Sequence, residues 1–137
     1  MKTVLGAAAA AFSMFSALPV PQVPWDEKHM RWMLAAFPLV GLVSGGACWA
    51  WDALCGVLTL PAILRGAGLC LLPPLITGGV HLDGYADTCD ALASHASPQR
   101  RQEILKDPHL GAFAAIRLCC YFLASFALWT ALPRYES

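Results

Sequence analysis

Three aspartates, Asp83, Asp87 and Asp90, recur at i, i+4 and i+7. On an α-helix this spacing places their carboxylates within an arc of about 60° on one face, spread over about 10 Å of the helix axis. Three like charges so close together repel one another, so a positive group is expected among them. Mg²⁺ is a suitable group, because it prefers oxygen and is usually held by one or two carboxylates together with substrate phosphates. The row is therefore predicted to bind Mg²⁺ and to neutralise a diphosphate leaving group, with a solvated acidic helix face as the alternative.

Other polar side chains near the row could act on the same phosphates. Arg100, Glu103, Lys106 and Asp107 fall on one broad face of a second helix. Arg grips phosphate oxygens as a fork and Lys as a point charge, although a solvated face with internal ion pairs has the same spacing. His81 lies just before the aspartates and could be a base, a metal ligand or a phosphate donor, or a structural residue.

The composition indicates which solvent surrounds the elements that carry these residues. The chain has 137 residues, enough for one domain, of which 58% are hydrophobic and 13% charged. A soluble domain has about 45–50% apolar and about 25% charged residues, so the difference indicates lipid. The net charge is zero, which gives no indication of a nucleic-acid partner.

Long runs with one charge or none predict helices that cross a membrane. Such a helix needs about 20 largely apolar residues. Three runs satisfy this length, near 32–51, 57–79 and 110–132. Three buried helices of a soluble bundle are the alternative, but the chain has too little polar surface to cover them.

The segments outside these runs are predicted from their prolines, glycines and charged residues. Residues 1–18 are apolar and are predicted to form an uncleaved membrane-associated helix, with a signal peptide as the alternative. Residues 19–31 contain three prolines and several charges, which indicates a water-exposed connection. Gly78-Gly79 should end the second long helix, and shorter helices are expected near 83–95 and 98–107.

These elements predict an all-α fold, a polytopic transmembrane helical bundle that forms a single membrane-embedded domain over 1–137. A short helical loop, 81–109, carries the acidic motif. Ser97-Pro98 should start the second of its helices, with Ser as the N-cap and Pro at the first helical position. The six cysteines form no C-x-x-C pair and are predicted to be structural.

The same residues resemble the signature of the cobalamin synthase family. Thr77–Leu92 reads TGGVHLDGYADTCDAL, close to that family's TGGLHLDGLADTADGL. Three weaker blocks follow the family's order: LPVP at 18–21, FPLVG at 37–41 and EILKDPHLGAF at 103–113. The resemblance covers nearly all of the chain.

The resemblance implies an enzyme, a Mg²⁺-dependent transferase of the last steps of cobalamin synthesis. Members of the family are bacterial and archaeal membrane proteins that join adenosylcobinamide-GDP to α-ribazole or its 5′-phosphate and release GMP. The expected location is the bacterial inner membrane, with loop 81–109 in the cytoplasm, and the expected partners are these substrates and lipid. The predicted roles are catalysis by His81, Asp83, Asp87 and Asp90, metal binding by the three aspartates, and substrate binding by Arg100, Lys106 and Asp107.

The chain departs from the family in length, because the family's chains are nearly twice as long. The resemblance therefore implies an N-terminal portion, with the remaining helices supplied by further sequence or by a separate chain. Ala91 also stands where the family usually has glycine.

Three other classes of membrane protein are alternatives. CDP-alcohol phosphotransferases need an arginine soon after Asp83-Gly84, which this chain lacks. Prenyltransferases of the ubiquinone type have an asparagine before the first aspartate and a wider final gap. An ion transporter would place its aspartates inside a spanning helix, whereas these follow Gly78-Gly79 and are expected nearer an interface.

Overall fold

A computed structural model describes the backbone of residues 2–21 and 27–133 and the side chains of 5–21 and 30–133. Its described residues form helices and no strand, which confirms the all-α prediction. The helices are α1 (Lys2–Phe15), α2 (Glu27–Val57), α3 (Ala62–Ile76), α4 (Val80–Ala93), α5 (Pro98–Ile104) and α6 (Ala112–Ala131).

Two of these helices are long and apolar enough to cross a membrane: α2 over Met30–Val57, and α6. They confirm the spans predicted near 32–51 and 110–132. Large apolar side chains project from both helices, and Trp49 and Leu123 are 75% and 69% exposed. Surfaces of this kind require lipid or further apolar helices as neighbours.

The predicted span 57–79 was wrong in its bounds. Helix α2 continues through Val57, and the chain turns at Thr59, which has a positive φ of 50°. Helix α3 begins only after Pro61 and has 15 residues, or about 22 Å, which is shorter than the roughly 30 Å hydrocarbon core. With α4 it forms a pair bent by 89°, which is a broken span or a re-entrant loop.

The bend between α3 and α4 depends on two glycines. Gly78 and Gly79 have φ values of 64° and 77°, a left-handed conformation that other residues rarely adopt. This confirms that Gly78-Gly79 ends the second long helix. Helix α4 begins directly afterwards at Val80, three residues before the start predicted for the helix near 83–95.

The end of helix α5 and the start of helix α2 differ from their predictions, whereas the start of α5 does not. Ser97 caps α5 as predicted, since its hydroxyl accepts a hydrogen bond from the Arg100 backbone N–H. The helix ends at Ile104 rather than near 107, where Asp107-Pro108 follows a turn. Much of the predicted connection 19–31 lies in 22–26, outside the described residues, and α2 has already begun at Glu27.

The helices pack mainly as neighbouring pairs, in the order α1, α2, α3, α6 and α4. Helix α1 lies on α2, and α3 lies between α2 and α6. Two glycines of α3 allow this close approach: a Cβ on Gly66 would meet the Thr130 backbone N at 3.0 Å, and one on Gly68 would overlap the Trp51 ring. Small residues of this kind let backbones approach in a bilayer. Helix α4 lies on the N-terminal part of α6, and this contact positions the acidic motif.

The far end of α6 is held by a buried arginine. Arg65 of α3 forms an ion pair with Asp52 of α2. Its guanidinium also donates to the carbonyl oxygens of Trp129, at 3.3 Å, and Leu132, at 2.8 Å, where α6 ends. The last carbonyls of a helix have no partner within it, so Arg65 supplies one from a neighbouring helix.

Candidate functional site

The three aspartates lie on α4 but in different surroundings. Asp83 is exposed and lines a cavity of about 460 Å³ together with Gly78, Gly79 and Leu110. Asp87 is half-buried one turn further along. Neither carboxylate forms a hydrogen bond or an ion pair with the residues that the structure describes. Both are therefore available to an external cation.

Asp90 is engaged with the protein backbone. One carboxylate oxygen accepts a hydrogen bond from the Gly111 N–H at 2.8 Å, and the other accepts from the Ala114 N–H at 2.9 Å. Gly111 is the N-cap residue of α6, so the carboxylate lies at the positive end of that helix. The sequence did not indicate this contact, because the two partners are separated by 21 residues.

No group of three or more His, Cys, Asp or Glu side chains within the described ranges could hold a metal ion by itself. This agrees with the division of the acidic row, since only Asp83 and Asp87 have carboxylates without a protein partner. Mg²⁺ is usually held by one or two carboxylates and keeps water or substrate phosphates as its other ligands. The donor set therefore fits Mg²⁺ bound together with a phosphate-bearing substrate.

His81 lies away from the acidic row. Its ring centroid is 6.4 Å from that of Phe15 and 5.8 Å from that of Phe37, so it packs against aromatic rings of α1 and α2. Two residues along a helix correspond to about 200°, which places His81 on nearly the opposite side of α4 from Asp83. His81 lies in the first turn of α4 and is exposed.

The predicted phosphate-binding residues lie on α5 and in the loop that follows it. Arg100 pairs with Glu103 on the same helix, and Lys106 and Asp107 are exposed. Asp107 accepts hydrogen bonds from the ring Nδ1 of His109 at 2.6 Å and from the His109 backbone N–H at 3.0 Å. These bonds lower the pKa of Asp107 below its ordinary value, the side-chain bond being the larger cause.

A second cavity, of about 580 Å³, is lined by a positively charged side chain for which no role was predicted from the sequence. Arg117 of α6 lines it with Tyr85 of α4, Phe113 and His95. The guanidinium forms no hydrogen bond or ion pair with the described part of the chain. The signal was present in the sequence, since Arg117 is the single charge of an apolar run and charges at membrane depth are usually functional.

Comparison with known proteins gives one family. The family model described as cobalamin-5-phosphate synthase matches residues 7–135. This match includes α4, α5 and α6 and every residue of the site described above. No solved structure matches the chain.

Curated relatives carry the name adenosylcobinamide-GDP ribazoletransferase. The one from Lachnoclostridium phytofermentans is 48% identical over 127 residues, covering 93% of this chain and 49% of the relative. The one from Desulfitobacterium hafniense is 44% identical over 133 residues, covering 93% and 50%. The one from Clostridium botulinum Eklund 17B is 34% identical over 126 residues, covering 92% and 50%. The chain thus spans about half the length of the curated relatives it matches.

Proposed function

The chain belongs to the cobalamin-5-phosphate synthase family, and from this premise we propose that it takes part in joining adenosylcobinamide-GDP to α-ribazole or its 5′-phosphate, with release of GMP. One observation carries the proposal. Asp83, which lines a cavity, and Asp87, one turn further along, both present carboxylates without a partner among the described residues, on a helix that the family model matches in full. Such carboxylates are suited to a cation that accompanies a diphosphate.

The proposed cofactor is Mg²⁺. Asp83 and Asp87 would hold it, because their carboxylates are free of hydrogen bonds and ion pairs with the described residues. Bound there, Mg²⁺ supplies neutralisation of the charge that develops on a diphosphate leaving group. Lys106 is exposed in the loop after α5 and is proposed to bind outer phosphate oxygens as a point charge, with Arg100 assisting.

The proposed reaction is a single displacement at phosphorus. A ribazole hydroxyl oxygen forms a bond to the phosphorus attached to cobinamide, the bond from that phosphorus to the GMP oxygen breaks, and the hydroxyl proton passes to a base. Phosphoryl transfer depends mainly on positioning and charge neutralisation, so no covalent enzyme intermediate is needed. His81 remains the predicted base, since an imidazole nitrogen can accept the hydroxyl proton. Inversion of configuration at a chiral phosphorus is expected, and retention would require two displacements.

The activity is tested with the chain in two forms, alone and co-expressed with the C-terminal half of the Lachnoclostridium phytofermentans relative. Membranes from each are supplied with Mg²⁺, adenosylcobinamide-GDP and α-ribazole 5′-phosphate, and GMP is measured by mass spectrometry. GMP release is expected at least from the complemented sample. Asp87→Asn should abolish most of it, whereas Ser94→Ala on the same helix should not. Absence of GMP from both samples, with the complete relative active in parallel, would refute the proposal.

We place the protein in the bacterial inner membrane, with loop 81–109 in the cytoplasm. Arg100, Arg101 and Lys106 favour this orientation through the positive-inside rule. A cysteine introduced at Ser97 should react only with membrane-permeant thiol reagents in intact cells, beyond the background of the native cysteines. Reaction with an impermeant reagent would reverse the orientation.

We propose that the exposed apolar surface is covered by lipid and by the helices that complete the relatives. Trp49 and Leu123 are among the large apolar side chains left exposed on α2 and α6. The helices that complete the relatives could come from further sequence or from a separate chain. Co-purification of the two halves in detergent would support the second source.

A further inference from the structure

The contact between Asp90 and the start of α6 joins two helices that are separate in sequence. Both carboxylate oxygens accept backbone hydrogen bonds, from Gly111 at 2.8 Å and from Ala114 at 2.9 Å. The first N–H groups of a helix have no partner within it and require one from outside. In most helices a Ser, Thr, Asp or Asn at the N-cap supplies this partner. Here the N-cap is Gly111, which has no side chain, and the partner comes from α4.

The absence of a side chain at Gly111 leaves space for the Asp90 carboxylate. A Cβ at this position would lie 2.5 Å from one carboxylate oxygen of Asp90 and 2.6 Å from the other. Real Cβ atoms do not approach other atoms so closely, so any larger residue would displace the carboxylate. The pair therefore behaves as a unit in which the glycine makes room for the aspartate.

The same contact disfavours metal binding by Asp90. The N-terminus of α6 carries a partial positive charge from its aligned peptide dipoles, and that charge faces the carboxylate. It attracts the carboxylate and opposes a divalent cation at the same position. Asp83 and Asp87 experience no such contact, since neither has a hydrogen bond or an ion pair with the described residues.

We propose that Asp90 is a positioning residue that caps α6, and that it is not a ligand of the metal. Its carboxylate fixes the point at which the loop after α5 joins α6, and this loop carries Lys106 and Asp107. The cap thereby holds the second block of polar residues at a set place relative to Asp83 and Asp87. The functional part of the inference rests on the proposed function, whereas the cap itself can be tested without substrate.

Hydrogen exchange tests the cap in detergent-solubilised protein with EDTA present. The amides of Gly111 and Ala114 should exchange slowly in the wild type. Asp90→Ala should accelerate their exchange about tenfold or more, in line with the loss of a cap, and Asp90→Asn, which keeps one acceptor oxygen, by less. Asp87→Ala, on the same face of α4, is the matched control and should leave these amides unchanged.

Substitution of the glycine gives an independent test of the same contact. Gly111→Ala should accelerate exchange of the Ala114 amide as Asp90→Ala does, because the added methyl group displaces the carboxylate. Gly56→Ala is the control, since a Cβ at that position meets nothing within 4 Å. Unchanged exchange in both Asp90→Ala and Gly111→Ala would overturn the proposal.

Dependence on Mg²⁺ separates a cap from a ligand. In the GMP-release assay, Asp87→Asn should raise the half-saturating Mg²⁺ concentration about tenfold or more, as expected for loss of a ligand interaction. Asp90→Asn should lower turnover and weaken the apparent affinity for adenosylcobinamide-GDP, while the Mg²⁺ requirement stays within about twofold, because no ligand is removed. An Asp90→Asn protein whose Mg²⁺ requirement rises as much as that of Asp87→Asn would overturn the proposal. Asp90-dependent exchange in a protein that releases no GMP would support the cap and count against the proposed function alone.

Discussion

Replacement of Arg65 by leucine should destabilise the protein more than any other single arginine change in its described helices. The side chain of Arg65 is only 8% exposed, and it bonds to Asp52 and to the carbonyl oxygens of Trp129 and Leu132. Leucine would leave the carboxylate unpaired and the two carbonyls at the end of α6 without this donor. The change therefore removes a partner from three groups on two other helices.

The magnitude follows from the burial of the pair. Removal of one member of a buried ion pair costs about 3–5 kcal/mol, and the lower value applies here because Asp52 is 35% exposed. For a chain of this size, about 3 kcal/mol corresponds to a fall in Tm of about 10 °C. Arg65→Lys should lose less, because it keeps the charge but not the planar fork.

Thermal unfolding in detergent, followed by circular dichroism, measures the effect. Arg117→Leu is the matched control, because this arginine is exposed and has no hydrogen bond or ion pair with the described residues. Its Tm should change by less than about 2 °C. The double change Asp52→Leu/Arg65→Leu should recover part of the loss, since it leaves no unpaired charge. If Arg65→Leu and Arg117→Leu unfolded at the same temperature, the stabilising role assigned to the contacts of Arg65 with Asp52 and the end of α6 would be refuted.

Three further outcomes are expected. Gly68→Ala should lower Tm by several degrees because its Cβ would overlap the Trp51 ring, whereas Gly45→Ala, with nothing within 4 Å, should leave Tm unchanged or raise it; equal values would contradict the packing of α3 on α2. His109→Ala should raise the pKa of Asp107 part of the way towards its ordinary value, as measured by carboxyl NMR, because it removes the side-chain hydrogen bond, the largest cause of the lowered pKa, and keeps the backbone N–H bond. A lowered pKa stabilises the folded state above the ordinary aspartate pKa of about 4, and this effect is lost as the pH falls through the lowered value. The wild type should therefore be more stable than His109→Ala at neutral pH, and the two stabilities should converge in strong acid. His81→Gln should lower GMP release without changing the Mg²⁺ requirement if imidazole is the base, and full activity would exclude it.

The helices were predictable because their signals are local. Apolar runs of sufficient length predicted α2 and α6, and Ser97-Pro98 predicted the start of α5. Gly78-Gly79 predicted the end of α3, although not the bend of 89° that follows. The start of α3 was missed because the run 57–79 has a single charge, Arg65, and hydropathy does not reveal the turn at Thr59.

The site was less predictable, because its contacts join residues far apart in sequence. Helical spacing placed Asp83, Asp87 and Asp90 on one face, but it could not indicate that the third carboxylate meets an N-terminus 21 residues later. Nor could it indicate that Arg65 of α3 reaches the end of α6, 67 residues away along the chain. Spacing determines which face a residue occupies, and the tertiary fold determines what that face meets.

The two charges that hold α6 also bear on the order in which the protein is assembled. Asp90 lies at the positive end of this helix and Arg65 at its negative end, and both precede it in the sequence. During synthesis, therefore, α3 and α4 leave the ribosome before α6 does. The groups that contact the two ends of α6 are therefore synthesised before the helix itself. We expect these groups to influence the membrane depth of α6 together with its own hydrophobicity, so a change at Asp90 or Arg65 should affect insertion of α6 as well as the stability of the finished protein.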